Sequence, residues 1–153
     1  MVTKQLSEKN PYFVNKERQL ELEHFCRQYP NWVLERRDCL SGKDIKLSGG
    51  YLTILRKCTK NDIADKTAAA ALYVYELEDK MSMIDDCLDI AVVVNLDHLL
   101  KSQVDLLKKA LFANITSGMS YDDYFVLETA PISRHKFYQI RRIFFWLLDQ
   151  KRG

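Results

Sequence analysis

A set of basic and polar side chains near the C-terminal end of the chain is the strongest candidate for chemistry. The set consists of Ser133, Arg134, His135, Lys136, Tyr138, Arg141 and Arg142. Arginine can donate two hydrogen bonds to the O6 and N7 atoms of guanine, and lysine, serine and tyrosine commonly hold phosphate groups. These residue types therefore suit contact with duplex DNA. We predict that Arg134 contacts bases and that Arg141 and Arg142 contact the sugar-phosphate backbone.

One amphipathic helix would carry the whole set. Ser133 can cap its start, and we expect it to run nearly to the end of the chain. Its apolar residues share one face, at Phe137, Ile140, Phe144, Leu147 and Leu148. That spacing leaves Arg134, Tyr138 and Arg141 along an opposing, exposed stripe, with Lys136 and Arg142 beside it.

A shorter helix is predicted immediately before it, from Tyr121 to about Thr129. Ser120 followed by Asp123 forms an Asp variant of the capping box, and Pro131 breaks the chain before the next helix. Two helices joined by such a short break outline a helix-turn-helix, whose second helix enters the major groove of DNA. An ordinary helical hairpin with a basic tip fits the same residues, so both interpretations stay open.

Charge is segregated along the chain, although the net charge of its 153 residues is only +2. Residues 1–59 carry a net charge of +4, residues 60–130 carry −7, and residues 131–153 carry +5. A basic end on an acidic body favours attraction to phosphates, because lysine and arginine that neutralise phosphates release counterions. A solvated helix end is the simpler alternative.

The most regular apolar pattern lies in the middle of the chain and predicts a long helix with a heptad-like seam. The seam positions are Ile63, Thr67, Ala70, Val74, Leu77, Met81, Ile84, Leu88 and Ala91. A neighbouring helix or a second copy of the chain could cover this seam, because bundle cores and coiled coils share the spacing. A further helix is predicted from about Asp97 to Ile115, with Gly118 as its left-handed cap.

The N-terminal part predicts a bent pair of helices, which completes an all-α fold: a helical bundle with a long central helix and a C-terminal helix-turn-helix. The first helix follows an Asn15 cap and places Leu22, Phe25, Cys26 and Tyr29 on its inner face, and the second runs from about Asn31 to Cys39 with Trp32 and Val33 inward. The expected parts are a helical pair in residues 1–40, a flexible connection in 41–50, a bundle or dimerisation part in 51–116, and the helix-turn-helix in 117–153.

Few residues favour an enzyme or a metal site. The cysteines Cys26, Cys39, Cys58 and Cys87 form no C-x-x-C pair, and we interpret them as free and mostly buried. The histidines His24, His98 and His135 lack metal-ligand spacing. The carboxylates Glu76, Asp79, Asp86 and Asp89 lie on one predicted helix and are interpreted as a solvated acidic face rather than a magnesium site. We therefore expect no enzyme activity, no metal and no cofactor.

The composition is that of a globular protein, with 47% hydrophobic and 29% charged residues. The longest uncharged apolar stretch, Ile90–Val94, is far shorter than the ~20 residues that span a bilayer. The first residues lack the layout of a secretory signal. We expect a cytoplasmic protein without a membrane span.

Two C-terminal segments carry a resemblance to a known family. They read GMSYDDY at 118–124 and PISRHKFYQIRRIFFWLLD at 131–149. This end resembles the ArpU/RinA-type transcriptional regulators of phages and mobile elements, whose terminal helix-turn-helix is similar to region 4 of sigma factors. The phrase LEHFCRQYPNW at 22–32 resembles the opening of prophage proteins that share this ending.

Two functions from different classes follow as predictions. The first is a DNA-binding transcriptional regulator of a phage or mobile element, with duplex DNA as partner and RNA polymerase or another host protein as a further one. The second is a helical protein-interaction module without DNA readout, which would use the seam from Ile63 to Ala91 or the aromatic residues Tyr124, Phe145 and Trp146. A homodimer through the seam is compatible with either function.

Overall fold

The described part of the chain is built from α-helices and contains no β-strand. The computed structural model describes residues 10–41, 63–95, 100–123, 130 and 132–153. Its helices are α1 (Lys16–Arg27), α2 (Tyr29–Leu40), α3 (Ile63–Asn95), α4 (Lys101–Ser117) and α5 (Arg134–Arg152). The predicted all-α class, with a long helix in the middle of the chain, is confirmed.

The chain divides into two compact units. The larger unit comprises the described residues of 1–28 and 83–153, and therefore contains α1, α4, α5 and the last part of α3. The smaller unit comprises the described residues of 29–82, which are α2 and the first part of α3. Most of the predicted flexible connection, residues 42–50, lies outside the described residues.

In the larger unit, α1 contacts both α4 and α5. The predicted cap is present, since the Asn15 side chain accepts a hydrogen bond of 2.8 Å from the backbone N–H of Arg18. The fully buried side chains of this unit include Leu22, Ile84, Val92, Leu107, Leu111, Ile115, Phe137, Ile140, Phe144, Phe145 and Leu148. Burial of each such side chain stabilises the fold by ~1.5–3 kcal/mol, so the hydrophobic faces of α1, α4 and α5 hold this unit together.

In the smaller unit, α2 packs against the first part of α3. Trp32 is buried, as predicted, and the Lys80 ammonium lies over its ring at 5.6 Å from the centroid. The prediction for Val33 is wrong, because its side chain is 47% exposed. Successive helical residues point about 100° apart, and α3 covers only the side of α2 that carries Trp32.

The seam of the long helix is buried by the chain itself over most of its length. Leu77, Met81, Ile84, Leu88 and Ala91 are all buried. These five positions are therefore not available to a second copy of the chain, and the intramolecular alternative describes them correctly. Nearer the start of α3 the buried positions are Ala69 and Tyr73, whereas the predicted seam residue Thr67 is exposed.

The helix α4 begins later than predicted, at Lys101 rather than Asp97. Leu100 is extended, and the Gln103 side chain reaches back to accept a hydrogen bond of 3.0 Å from the Leu100 N–H, which caps the helix at that point. The end of α4 is confirmed, since Gly118 adopts a left-handed conformation with φ of 74°. A Cβ atom at this position would also lie only 2.6 Å from the guanidinium of Arg27.

The predicted helix from Tyr121 to about Thr129 falls mostly on residues that the structure does not describe. Residues 121–123 form a turn and a bend rather than the start of a helix, and residues 124–129 lie outside the described part. The Asp123 carboxylate accepts a hydrogen bond from the Ser120 N–H, which is one half of the predicted capping box. The helix-turn-helix stays a prediction.

Candidate nucleic-acid interface

The helix α5 carries every predicted site residue, and two local features position it. Ser133 is its N-cap, since the hydroxyl accepts a hydrogen bond of 3.3 Å from the backbone N–H of Lys136. Phe137, Ile140 and Phe144 are fully buried, so the helix is fixed along the face that carries them. The predicted aromatic contact Phe145 is buried as well, and its proposed role in binding a partner is wrong.

The predicted site residues separate into three groups by exposure. Ser133, Arg134 and His135 are exposed. Lys136, Tyr138 and Arg142 are half-buried, and Arg141 is buried. The structure thus brings six of the seven residues to the surface of the first turns of α5, and it removes Arg141 from that surface.

Arg141 is the main correction to the predicted site. Its side chain is 8% exposed and forms an ion pair of 3.0 Å with Glu23 of α1. Its Nε donates a hydrogen bond of 2.6 Å to Oδ1 of Asn114, and its guanidinium lies 4.7 Å from the ring centroid of Phe145. A buried guanidinium that is already paired cannot also bind a DNA backbone, so Arg141 links α5 to α1 and α4.

Asn114 is a residue whose importance the sequence did not reveal. Its Oδ1 accepts from Arg141, while its Nδ2 donates a hydrogen bond of 2.7 Å to the carbonyl of Met119. The backbone carbonyl of the same residue accepts from the Gly118 N–H at 3.0 Å. One side chain therefore connects the end of α4, the turn after it and α5. Its helical position was visible in the sequence, but its polar partners were not.

The turn before α5 packs on the first turns of the helix. The Tyr121 hydroxyl donates a hydrogen bond of 2.7 Å to the carbonyl of Ile132, and the Tyr121 N–H donates one of 3.2 Å to the Tyr138 hydroxyl. Arg134 forms an ion pair of 2.9 Å with Asp122, and its guanidinium lies 5.9 Å from the Tyr138 ring centroid. Both charged partners are about half exposed, so this pair is one that solvent screens.

Arg142 is directed to the opposite side from Arg141 and lines a cavity of about 270 Å³. The cavity is lined by Asn10, Pro11, Tyr12, His135, Gln139 and Arg142. The Nε of Arg142 is buried and has no hydrogen-bond partner in the described part of the chain. The helical spacing of His135, Gln139 and Arg142 was readable from the sequence, whereas the opposite wall, residues 10–12, depends on tertiary structure.

The other titratable groups serve the fold. Burial raises the pKa of the Cys26 thiol to about 12, against the opposing charges of Arg141 and Arg152. Cys26, Cys39 and Cys87 are free thiols, and Cys26 and Cys87 are buried as predicted, whereas Cys58 lies outside the described residues. Asp89 pairs with Lys108 at 2.9 Å and Asp86 with Lys151 at 3.6 Å. Among the described residues, no three histidine, cysteine or acidic side chains are grouped as metal ligands would be.

Comparison with known proteins leaves this interface to be interpreted on its own geometry. In the described ranges, none of the helices combines the length and apolar character that crossing a membrane requires. No protein-family model, no curated protein and no solved structure matches the chain.

Proposed function

We propose that the chain is a DNA-binding transcriptional regulator of a phage or mobile element, and that it binds duplex DNA through the exposed face of the first half of α5. The single observation that carries the proposal is the chemistry of that face. Its members are Arg134, His135, Lys136, Gln139 and Arg142, which are cationic or can donate hydrogen bonds. Phosphate oxygens accept such bonds, and protein–DNA contacts are made mostly to them.

The roles of individual residues follow from their surroundings. Arg142 and Lys136 would contact the sugar-phosphate backbone. Arg134 would contact bases, and this requires it to exchange Asp122 for DNA. The exchange costs little, because an exposed ion pair stabilises a protein by only ~0.2–1 kcal/mol. The resemblance of residues 131–149 to phage and mobile-element regulators supports the assignment to that class.

The proposal is tested by fluorescence anisotropy with a random-sequence duplex over a series of salt concentrations. We expect affinity to fall steeply with salt, and the slope to decrease by about one for each DNA phosphate that Lys136→Ala or Arg142→Gln leaves without its cation. Lys109→Ala is the matched control, since Lys109 is an exposed cation on α4. A salt-independent signal, or a control that weakens binding as much as Arg142→Gln, would contradict the proposal.

A second candidate function, a protein-interaction module, is favoured by an exposed apolar group at the end of α3. Ile90, Val93 and Val94 lie at helical spacing, and Val93 and Val94 are 60% and 69% exposed. The nearest testable occupant is a second copy of the chain. Sedimentation equilibrium that shows a dimer, and a monomer for Val93→Asp, would support this function; a monomer in both cases would remove it.

A further inference from the structure

The cavity beside the first half of α5, which we call the Arg142 cavity, has two walls of different origin. One wall is His135, Gln139 and Arg142, at steps of four and three along a single face of α5. The other wall is the turn of residues 10–12 that precedes α1. At about 270 Å³, the cavity is slightly smaller than the ~300–1,000 Å³ of sites for drug-sized ligands. It is therefore suited to a small group rather than to a whole nucleotide.

The wall from residues 10–12 is held in place by its own contacts. Asn10 Oδ1 accepts a hydrogen bond of 2.9 Å from the Tyr12 N–H, and the Asn10 carbonyl accepts one of 3.1 Å from the Phe13 N–H. The Tyr12 ring packs edge-on against Trp146, with 5.6 Å between centroids. Because its Oδ1 is occupied, Asn10 has its Nδ2 group left to donate, so this wall presents a further donor rather than an acceptor.

The polar groups around the cavity form a set that an anion would complete. None of the six lining residues is acidic. The guanidinium of Arg142 supplies the positive charge, and the side chains of Gln139, His135 and Asn10 supply neutral or cationic N–H groups from different directions. A carboxylate offers only two oxygens, whereas a phosphate offers more acceptors around one centre and can use donors from both walls.

A comparison with Arg18 shows that the Arg142 Nε is unusual. Arg18 also has a buried guanidinium nitrogen without a hydrogen-bond partner, Nη2. Arg18 is nevertheless neutralised by Asp149, at 2.6 Å from its Nε, and by Glu21, at 3.0 Å from its Nη1. Arg142 forms no ion pair with any described carboxylate, and its orphaned Nε lies beside the cavity. Leaving a charged donor buried and unpaired is costly, and a bound anion would remove that cost.

We propose that the Arg142 cavity binds one phosphate group, with Arg142, Gln139 and His135 as donors on one side and Asn10 on the other. The inference deepens the proposed DNA binding, and rests on it only for the source of the phosphate, which would be one phosphodiester of the DNA backbone. A free phosphorylated small molecule presents the same chemistry and is the other source.

The binding of phosphate itself is tested without DNA, by titrating the ¹⁵N-labelled full chain with inorganic phosphate at constant pH and ionic strength. The reporter is the Nε–H signal of Arg142, identified by its absence in Arg142→Lys. We expect a saturable shift of this signal, while the Nε–H of Arg18, already bonded to Asp149, does not move. A shift that never saturates, or that chloride reproduces, would overturn the proposal.

Two glutamines of α5 provide a matched pair of variants, since both are exposed and only Gln139 lines the cavity. Gln139→Ala should raise the Kd for inorganic phosphate at least threefold, and Gln150→Ala should leave it unchanged. Equal effects of the two substitutions would overturn the proposal.

The same pair separates the phosphate site from the proposed function when duplex DNA is the ligand. If Gln139→Ala alone weakens DNA binding, the site holds a backbone phosphate. If phosphate binds saturably but DNA does not bind, the proposed function fails and the site stands as one for a free phosphorylated molecule. If DNA binds but inorganic phosphate does not shift the Arg142 signal, the site fails and the proposed function stands.

Discussion

Two neighbouring arginines divide α5 into two faces with opposite chemistry. Arg141 lies on the inner face, where Glu23, Asn114 and the Phe145 ring occupy its guanidinium. Arg142 lies on the outer face, where its Nε has no hydrogen-bond partner in the described ranges and borders a cavity. The residue type is the same at both positions, and a rotation of about 100° along one helix separates them.

The difference shows that a basic residue near a candidate interface can serve the fold instead of a ligand. On the inner face, α1 approaches closely enough for Glu23 to neutralise Arg141, so this charge is compensated within the molecule. On the outer face no described acidic residue borders the Arg142 cavity, and its charge stays available. Counting arginines along a helix therefore overestimates its surface for DNA, and the partner of each guanidinium has to be known.

The largest expected effect comes from breaking the inner face. Arg141→Gln should lower the free energy of unfolding by about 3 kcal/mol, because it leaves Glu23 without its buried partner and Asn114 without a charged donor. Arg142→Gln should change it by less than about 1 kcal/mol, since it breaks no ion pair. Urea unfolding monitored by circular dichroism measures both values. Similar decreases in the two variants would show that the inner and outer faces do not differ as described.

An intermediate effect should appear at high pH, through the thiol of Cys26 on the inner face. The pKa of this thiol is about 12 in the folded chain and near 9.0 when unfolded, so above pH 9 the unfolded state loses a proton that the folded state keeps. The free energy of unfolding should therefore fall, by about 1.4 kcal/mol per pH unit between those two values.

The contribution of Cys26 is isolated by repeating the pH series with Cys26→Ala. This variant should have a shallower dependence of unfolding free energy on pH above 9, whatever its stability at neutral pH. Unfolding curves in urea at several pH values provide the measurement. An unchanged slope would mean that Cys26 is not protected on the inner face.

The smallest expected effect concerns the outer face and sharpens its electrostatics. Asp122→Asn releases Arg134 from its ion pair, which should change stability by less than about 0.5 kcal/mol and strengthen duplex binding by about threefold at low salt. The gain should shrink as salt is added. Asp105→Asn, which removes an exposed charge from α4, is the control for net charge and should have little effect. Equal gains in the two variants would argue against a specific role for Arg134.

Much of the local structure could be predicted from the sequence, because it depends on neighbours along the chain. The caps at Asn15 and Ser133 and the left-handed Gly118 were predicted correctly. Each of these features rests on hydrogen bonds or backbone freedom within a few residues. The start of α4 was missed because Gln103 caps Leu100, an arrangement whose apolar cap residue gives no signal of its own.

The candidate site was predicted less completely, because exposure depends on what packs against a helix. Arg141 falls on the predicted exposed stripe by spacing alone, yet α1 supplies Glu23 across it. Val33 was placed inward for a comparable reason, since its neighbour Trp32 marks the buried side of α2. Periodicity identifies an apolar face, but the width of the face is set by the neighbouring helices.

By itself, the amino-acid sequence determined the all-α class, the amphipathic character of α5 and the caps that begin and end its helices, because periodicity and capping act over one or two turns. Only the tertiary structure decided which arginine is buried, that Asn114 joins α4 to α5, and that residues 10–12 close a cavity around Arg142. These features bring together residues from helices that are far apart in the chain, and no local pattern encodes such a contact.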